Sequence, residues 1–170
     1  VLLMAISNKL GYLLLSTGNK SEIAVGYSTI YGDMAGGFNP LKDVYKTKVY
    51  NLCHLRNEMS LNNGNTKQVI PINIITKEPS AELAFDQKDS DSLPEYSELD
   101  TILNHLIEGD LSVKEVIDKG FKQDVVIRVQ EMIYASEYKR YQSAPGTKIS
   151  KKPFALGRRY PLVNQWRDKP

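Results

Sequence analysis

The chain has 170 residues, of which 41% are hydrophobic and 25% are charged. This is enough apolar material for one buried core, and we expect residues 1–170 to belong to a single domain. The formal net charge of +2 demands no polyanionic partner, and the apolar runs are far shorter than the roughly 20 residues of a membrane-spanning helix. The single cysteine, Cys53, cannot form an internal disulfide, which fits a reducing cytoplasm.

The first residues, Val1 to Ile6, have the composition of a helix interior rather than of a protein start. No start methionine, N-cap or polar leader precedes them, and neither a basic segment nor a small-residue cleavage site supports a signal peptide. We therefore expect a piece of a longer protein, in which a helix over residues 1–9 ends at Gly11.

A short apolar run, Tyr12–Ser16, predicts a buried parallel strand because turn residues bound it on both sides. Asn19 and Glu22 then have the spacing of a capping box, and the helix that they open is expected to run to about Thr29. A strand, a polar turn and a helix in this order form an α/β unit. Open α/β sheets bind ligands at such turns.

The rest of the chain alternates helical patterns with loops. Residues 31–40 form a glycine-rich loop. The further predicted elements are a helix over residues 41–61, a short strand over 69–75, a turn over 78–83, helix starts with capping-box spacing at Ser97–Asp100 and Ser112–Glu115, a helix over 122–137 and an extended tail from Tyr138.

Charge is distributed unevenly along the second half of the chain. Residues 78–110 hold ten acids and one base, whereas the tail from Tyr138 holds nine bases and one acid. The acids Asp86, Asp89 and Asp91 could bind a cation, but they lack the spacing of a calcium-binding loop. We therefore expect them to lie in a solvated loop.

The segment from Thr17 to Glu22 has two interpretations on its residues alone. In the first, Asn19 and Glu22 only cap a helix, since capping boxes are common. In the second, a hydroxyl and a carboxylate beside a helix N-terminus hold a nucleotide and a hydrated Mg²⁺ ion, which takes one or two protein carboxylates. Glu22 is then the candidate Mg²⁺ ligand.

Several segments, in order along the chain, share the motifs of one enzyme family. They are Thr17–Glu22, Val25–Asp43, Pro79–Leu83, Asp86–Pro94 with Tyr96, Glu137–Arg140, Lys148–Ser150 and Phe154–Pro161. Together they closely resemble the synthetase domain of glutamine-dependent NAD synthetases. One six-residue match would be weak, but ordered matches over essentially the whole chain are specific.

The resemblance implies an α/β fold, a helix-rich part of a doubly wound parallel-sheet ATP pyrophosphatase domain of the adenine nucleotide alpha hydrolase-like type. It also implies the ATP-dependent amidation of deamido-NAD (nicotinic acid adenine dinucleotide) to NAD. In that family the carboxylate of deamido-NAD attacks the α-phosphorus of ATP, which gives an adenylated intermediate and pyrophosphate. Ammonia from a separate glutaminase domain then displaces AMP. ATP and Mg²⁺ are the implied cofactors, and a homo-oligomer is the implied assembly.

The resemblance also assigns ligands to individual positions, and it assigns no catalytic residue. The positions that match ATP contacts are Thr17, Lys46 and Ser80. The positions that match the deamido-NAD site are Glu22, Tyr27, Ser28, Thr29, Ile30 and Lys139. Tyr27 offers a stacking face to the nicotinate ring, and Lys139 offers positive charge to the phosphates of the dinucleotide.

The chain departs from the family pattern in three places. Ile30 and Tyr138 stand where ammonia-dependent relatives carry a substrate-binding lysine and a histidine, which favours the glutamine-dependent branch. The family's phosphate-binding loop, of Ser-Gly-Gly-x-Asp-Ser type, does not occur in the 170 residues. We therefore expect this piece to be inactive by itself.

Other functions stay open on the sequence. One is another ATP pyrophosphatase, either an ammonia-dependent NAD synthetase or a GMP synthetase; the Tyr31–Gly37 loop and the Phe154–Pro161 segment argue against both. Another is a non-catalytic module that dimerises through Leu103, Leu106 and Ile107, or that binds nucleic acid through the basic tail. Prolines dilute the bases of that tail, so we expect no nucleic-acid partner, and no membrane partner either.

Overall fold

A computed structural model describes residues 1–64, 68–80, 88–154 and 156–170, apart from the side chain of Asp91. The described part consists of short helices joined by loops: α1 (Leu2–Leu10), α2 (Lys20–Val25), α3 (Lys46–Asn62), α4 (Ile72–Thr76), α5 (Tyr96–Leu103), α6 (Val113–Ile117), α7 (Gln123–Ala135) and α8 (Glu137–Gln142). A 3₁₀ turn, Asp89–Asp91, precedes α5, and a π-helical turn, Asn104–Glu108, extends it. Over the described ranges, no helix combines the length and the apolar character needed to cross a bilayer.

The core lies where α2, α5, α6 and α7 meet. Its aliphatic side chains without exposed surface include Ala24, Leu99, Ile102, Leu103, Val113, Val116, Val126 and Val129. Burying a side chain of valine or leucine size contributes about 1.5–3 kcal/mol, so this cluster holds the four helices together. Leu103 and Ile107, considered above as interface residues, belong to the core, and the interface hypothesis is wrong for both.

The N-terminal segment carries much exposed apolar surface. Helix α1 ends at Gly11, whose φ of 71° is left-handed as expected for a helix end, but none of the residues of α1 is buried. The run expected to form a buried strand makes one parallel bridge, from Leu15 to Phe38, while Tyr12 and Leu13 are exposed. The expected burial is wrong for Tyr12, Leu13 and Leu15 but holds for Ser16, and isolated bridges are the only β-structure in the described residues. The parallel sheet stays a prediction.

Helices α2 and α3 are shorter than the sequence predicts. Helix α2 ends at Val25 rather than near Thr29, because Gly26 takes a left-handed φ of 71° and donates its N–H to the carbonyl oxygen of Glu22. Helix α3 begins at Lys46 rather than at residue 41. The residues before it form turns instead, one of them closed by a hydrogen bond from the Val44 N–H to the Leu41 oxygen.

The short strand expected over residues 69–75 is wrong, since helix α4 begins there at Ile72. The side-chain amide of Asn57 accepts from the Ile70 N–H and donates to the Ile70 oxygen, both at 2.9 Å. These bonds satisfy the main chain of Ile70 without a partner strand. Pro71, with φ of −57°, then leads into the helix.

The two capping boxes expected in the second half of the chain have different outcomes. Ser112 and Glu115 form the full reciprocal box at the start of α6, as predicted. Ser97 does not cap α5, which begins after Glu95, because Asp100 is engaged elsewhere, with α2 and α3. The tail expected to be extended from Tyr138 is also wrong at its start, since α8 continues to residue 142.

Lys20, the first residue of α2, is completely buried and ties that helix to the C-terminal tail. Its Nζ lies 2.7 Å from Asp43 Oδ1, pairs with Glu108 and donates to Ser150 Oγ at 2.6 Å. The main-chain N–H groups of Ile149 and Ser150 bond to Asp43 as well. Two carboxylates and a hydroxyl therefore compensate one buried ammonium.

The carboxyl of Asp43 gives the fold an acid-sensitive point. Burial by itself raises the pKa of Asp43, but hydrogen bonds from the Lys20 ammonium and from Ser150 and Ile149 outweigh burial and hold the pKa below its ordinary value. A carboxyl of this kind stabilises the folded state above its unfolded pKa of about 4. The contribution is lost as the pH falls through the lower pKa of the folded state.

We therefore expect the free energy of unfolding to fall with decreasing pH below about 4, and Asp43→Asn to reduce that slope. Urea titrations between about pH 6 and pH 3 measure it. Asp118→Asn, which removes an exposed carboxyl at the end of α6, should leave the slope nearly unchanged. Equal slopes in the wild type and in Asp43→Asn would contradict the assignment.

Candidate functional site

A cavity of about 740 Å³ opens beside the C-terminal end of α2. Its walls come from α2, the loop that follows it, the start of α8 and the segments at Ser80 and Asp89. The lining residues are Glu22, Gly26, Tyr27, Ser28, Thr29, Ile30, Gly32, Asp33, Ser80, Asp89, Tyr138 and Lys139. Ligand sites commonly have about 300–1,000 Å³, so the cavity can take a large part of a nucleotide.

The structure brings most of the predicted site residues together here. All six residues expected at the deamido-NAD site line this cavity, and so does Ser80. Lys46 lines a smaller adjoining cavity of about 320 Å³, which shares Glu22, Ser80 and Asp89 with the first. Thr17 is exposed and lies on the wall of neither cavity. A third cavity, about 850 Å³ between α3 and the tail, is lined by none of the predicted residues.

The contacts of Glu22 are compatible with both interpretations of this segment, helix capping and ligand binding. Its Oε2 accepts from the Asn19 N–H at 3.1 Å, while Asn19 Oδ1 accepts from the Glu22 N–H at 3.1 Å, which completes the capping box. Its other oxygen, Oε1, accepts from Lys46 Nζ at 3.1 Å. Capping therefore uses one oxygen and leaves the second at the cavity wall, paired with a lysine.

The start of α3 places Lys46 against Glu22. The Lys46 N–H donates to Ser21 Oγ at 2.9 Å, the Thr47 N–H donates to Asp100 Oδ2 at 2.9 Å, and Ser21 Oγ donates to Asp100 Oδ1. Asp100, on α5, thus caps α3 from another helix. Sequence reasoning missed this role because residues 21 and 100 are far apart along the chain and only the folded core joins them.

Lys139 shapes the wall of the cavity. Its Nζ donates to the carbonyl oxygens of Gly26 and Ser28, each at 2.7 Å, so two of its three N–H groups are used within the protein. Gly26 is required in this position because a Cβ there would lie 2.0 Å from Ser136 Oγ and its φ is positive. The lysine therefore fixes the loop after α2 against α8.

Asp89, one of the acids expected in a solvated loop, is instead 5% exposed and lines the cavity, so the expectation is wrong for this residue. Its Oδ2 accepts from the Tyr96 hydroxyl at 2.6 Å. Burial and the bond to Asp89 raise the pKa of Tyr96, which keeps its hydroxyl a neutral donor. The expectation for Asp86 and for the side chain of Asp91 lies outside the described residues.

Metal binding has limited support from the geometry. Within the residues that the structure describes, no group of three or more His, Cys, Asp or Glu side chains is placed to hold a metal ion. Glu22 supplies one carboxylate. Since Mg²⁺ usually keeps several water ligands and takes only one or two carboxylates, Glu22 fits a partial ligand whose partners would be water and phosphate oxygens.

A carboxylate–lysine pair and two tyrosines thus lie at the walls of cavities large enough for a small-molecule ligand. The model of one family, described as NAD synthase, matches residues 1–143. The chain belongs to the NAD synthase family. The resemblance predicted from the sequence is thereby confirmed.

The relatives are more particular. A glutamine-dependent NAD(+) synthetase of Rhodobacter capsulatus is 55% identical over 171 residues, which cover 99% of this chain and 31% of that protein. One of Acinetobacter baylyi is 55% identical over 166 residues, which cover 98% and 30%. A solved glutamine-dependent NAD(+) synthetase from Cytophaga hutchinsonii has a TM-score of 0.69 at 21% identity and covers 96% of this chain and 26% of its own, a likeness of fold.

The chain thus spans about 30% of the length of the curated relatives that it matches. Both of these relatives are named as synthetases, which are ligases.

Proposed function

We propose that the chain forms the C-terminal part of the synthetase domain of a glutamine-dependent NAD synthetase. Such a ligase would amidate deamido-NAD with ATP and with ammonia from glutamine, and would release AMP and pyrophosphate. The observation that carries the proposal is the ion pair of Glu22 and Lys46 at the wall of a nucleotide-sized cavity. The identity to synthetases over nearly the whole chain supports it.

The ligands are assigned to the two adjoining cavities. Deamido-NAD occupies the larger one, with Tyr27 as a stacking face for its ring and Ser28, Thr29 and Ile30 as walls. Lys139, which bonds to the carbonyl oxygens of Gly26 and Ser28, contributes positive charge beside these residues. ATP lies toward the smaller cavity, which is lined by Lys46, Ser80 and Glu22. Thr17 remains assigned to ATP by its position in the family motif alone.

The chemistry explains why charge matters at this site. A carboxylate is a poor electrophile, so the carboxylate of deamido-NAD first attacks the α-phosphorus of ATP and displaces pyrophosphate. Ammonia then attacks the activated carbonyl and AMP leaves. The protein's part is to hold the anions close together and to compensate their charge. Glu22 would hold a Mg²⁺ ion in part, and the ion would supply such compensation at phosphate oxygens.

The proposal requires residues beyond the 170. The phosphate-binding loop and the glutaminase domain belong, on this proposal, to the rest of a longer polypeptide, in which several copies assemble. The 170-residue chain alone is then inactive.

We expect the complete polypeptide to form NAD and AMP in equal amounts from deamido-NAD, ATP and glutamine, or from ammonium when glutamine is withheld. Chromatographic quantification of both products measures the reaction, and the 170-residue chain is the matched control. Failure of the complete polypeptide to form NAD with either nitrogen source would refute the proposal. Turnover by the 170-residue chain alone would refute the proposal that activity requires the rest of the polypeptide.

A further inference from the structure

Asp89 carries a buried carboxylate oxygen that the fold does not satisfy. Oδ2 is bonded to the Tyr96 hydroxyl, but Oδ1 is buried and has no hydrogen-bond partner among the residues that the structure describes. The main chain holds the residue firmly, since its N–H donates to the Pro79 oxygen at 3.0 Å and its oxygen accepts from the Leu93 N–H at 2.8 Å. A fixed, buried and unpartnered acceptor is costly unless a ligand compensates it.

The side chains that line the cavity carry more negative than positive charge. Three carboxylates line it, those of Glu22, Asp33 and Asp89. Lys46 pairs with Glu22, and Lys139 already donates to two carbonyl oxygens. The carboxylates of Asp33 and Asp89 therefore lack a cationic partner of their own among the described side chains that line the cavity. Asp33 is exposed to solvent and accepts from the Thr29 N–H, so Asp89 is the buried one of the two.

Aromatic rings share the walls with these acids. Tyr27 and Tyr138 both line the cavity. Carboxylates next to aromatic faces are the chemistry that recognises organic cations, whose charge is spread over a large, weakly hydrated group. Mg²⁺ instead requires a set of oxygen ligands, and ammonium is far smaller than a cavity of about 740 Å³.

We propose that Asp89, together with Asp33, recognises the positive charge of the oxidised pyridinium ring of the dinucleotide, and so selects it over the neutral, reduced ring. This inference rests on the proposed function, because it assumes that the dinucleotide occupies this cavity. It gives Asp89 the role of a specificity-determining residue that contacts the ligand ring.

NAD and NADH provide the test, since they share every group except the charged or neutral ring. Isothermal titration of each into the complete polypeptide should show NAD binding at least about tenfold more tightly, a ratio that the attraction between a cation and these groups can supply. In Asp89→Asn the affinity for NAD should fall toward that for NADH, while the affinity for NADH changes by less than about twofold. Asp118→Asn, which removes an exposed charge outside the cavity, should keep the wild-type ratio.

The outcomes separate the two proposals. Equal affinities for NAD and NADH in the wild type would overturn the inference and leave the proposed function intact. If neither dinucleotide binds, the inference fails, and the assay of NAD formation decides on the proposed function. If Asp89→Asn does not fold, the wild-type ratio and the ratio in Asp33→Asn decide, because Asp33 is exposed and lies on the same wall. If the ratio of the affinities for NAD and NADH is the same in Asp89→Asn and Asp33→Asn as in the wild type, the inference is also overturned.

Discussion

Glu22→Gln is expected to lower kcat/KM for NAD formation by at least about 100-fold in the complete polypeptide, a loss typical of removing one preorganised charge contact. The amide keeps the size of the side chain but loses the charge that pairs with Lys46 at 3.1 Å. The stability cost should stay near the value of a helix cap, about 1 kcal/mol. Steady-state kinetics and thermal melting of the same preparation measure the two effects.

The chain contains a matched control for this substitution. Glu115 occupies the same place in the capping box of α6 that Glu22 occupies in that of α2. The described part of the chain places no salt-bridge partner within 4.0 Å of it, and the family resemblance assigns it no ligand. Glu115→Gln should leave kcat/KM unchanged and shift the melting temperature only slightly. If Glu22→Gln loses activity only in proportion to its loss of folded protein, then capping is the whole role of Glu22.

Arg140→Met is expected to lower the free energy of unfolding by about 3–5 kcal/mol, the usual cost of breaking a buried ion pair from one side. The guanidinium is 2% exposed, lies 2.7 Å from Glu137 Oε2 and donates to the Ala24 oxygen at 2.6 Å. It also donates to the Ile133 oxygen. Removal takes this donor away from both carbonyl groups and leaves the buried Glu137 carboxylate with the longer contacts to Arg158 and to the Tyr160 N–H.

Urea titration measures this loss. Arg128→Met is the matched control, because Arg128 is exposed on the neighbouring helix α7 and should change the free energy of unfolding by less than about 0.5 kcal/mol. Arg158 still lies 3.4 Å from Glu137 in the variant. A loss below about 1 kcal/mol would mean that Arg158 alone can compensate Glu137.

Local signals in the sequence predicted local structure. The boxes at Asn19 and Ser112 hold because both members of each pair lie within one helical turn, and Lys46 engages only the oxygen of Glu22 that the cap does not use. Ser97 has the same spacing, but Asp100 bonds to Ser21, on another helix. A capping pattern therefore predicts a helix start only when an oxygen of its acid stays available to the cap, as Oε2 of Glu22 does, and tertiary partners of the acid cannot be seen in the local sequence.

The same contrast applies to the site. Tyr27 to Ile30 lie next to one another along the chain, so one family motif located a whole wall of the cavity. Asp89 gave no such signal, since its burial comes from Pro79, Leu93 and Tyr96 rather than from its acidic neighbours. Lys20 is similar: a lysine in a polar turn is ordinarily solvated, and only the folded tail encloses it.

The hydrogen bond between Lys20 and Ser150 also constrains when this part of the chain can fold during biosynthesis. The two residues are 130 positions apart, so at about 5–20 residues per second the ammonium emerges some ten seconds before its hydroxyl partner. Until then the ammonium has Asp43 and Glu108 as partners but lacks the Ser150 hydroxyl. The native enclosure of the first residue of α2 therefore has to wait for the synthesis of the segment around Ser150.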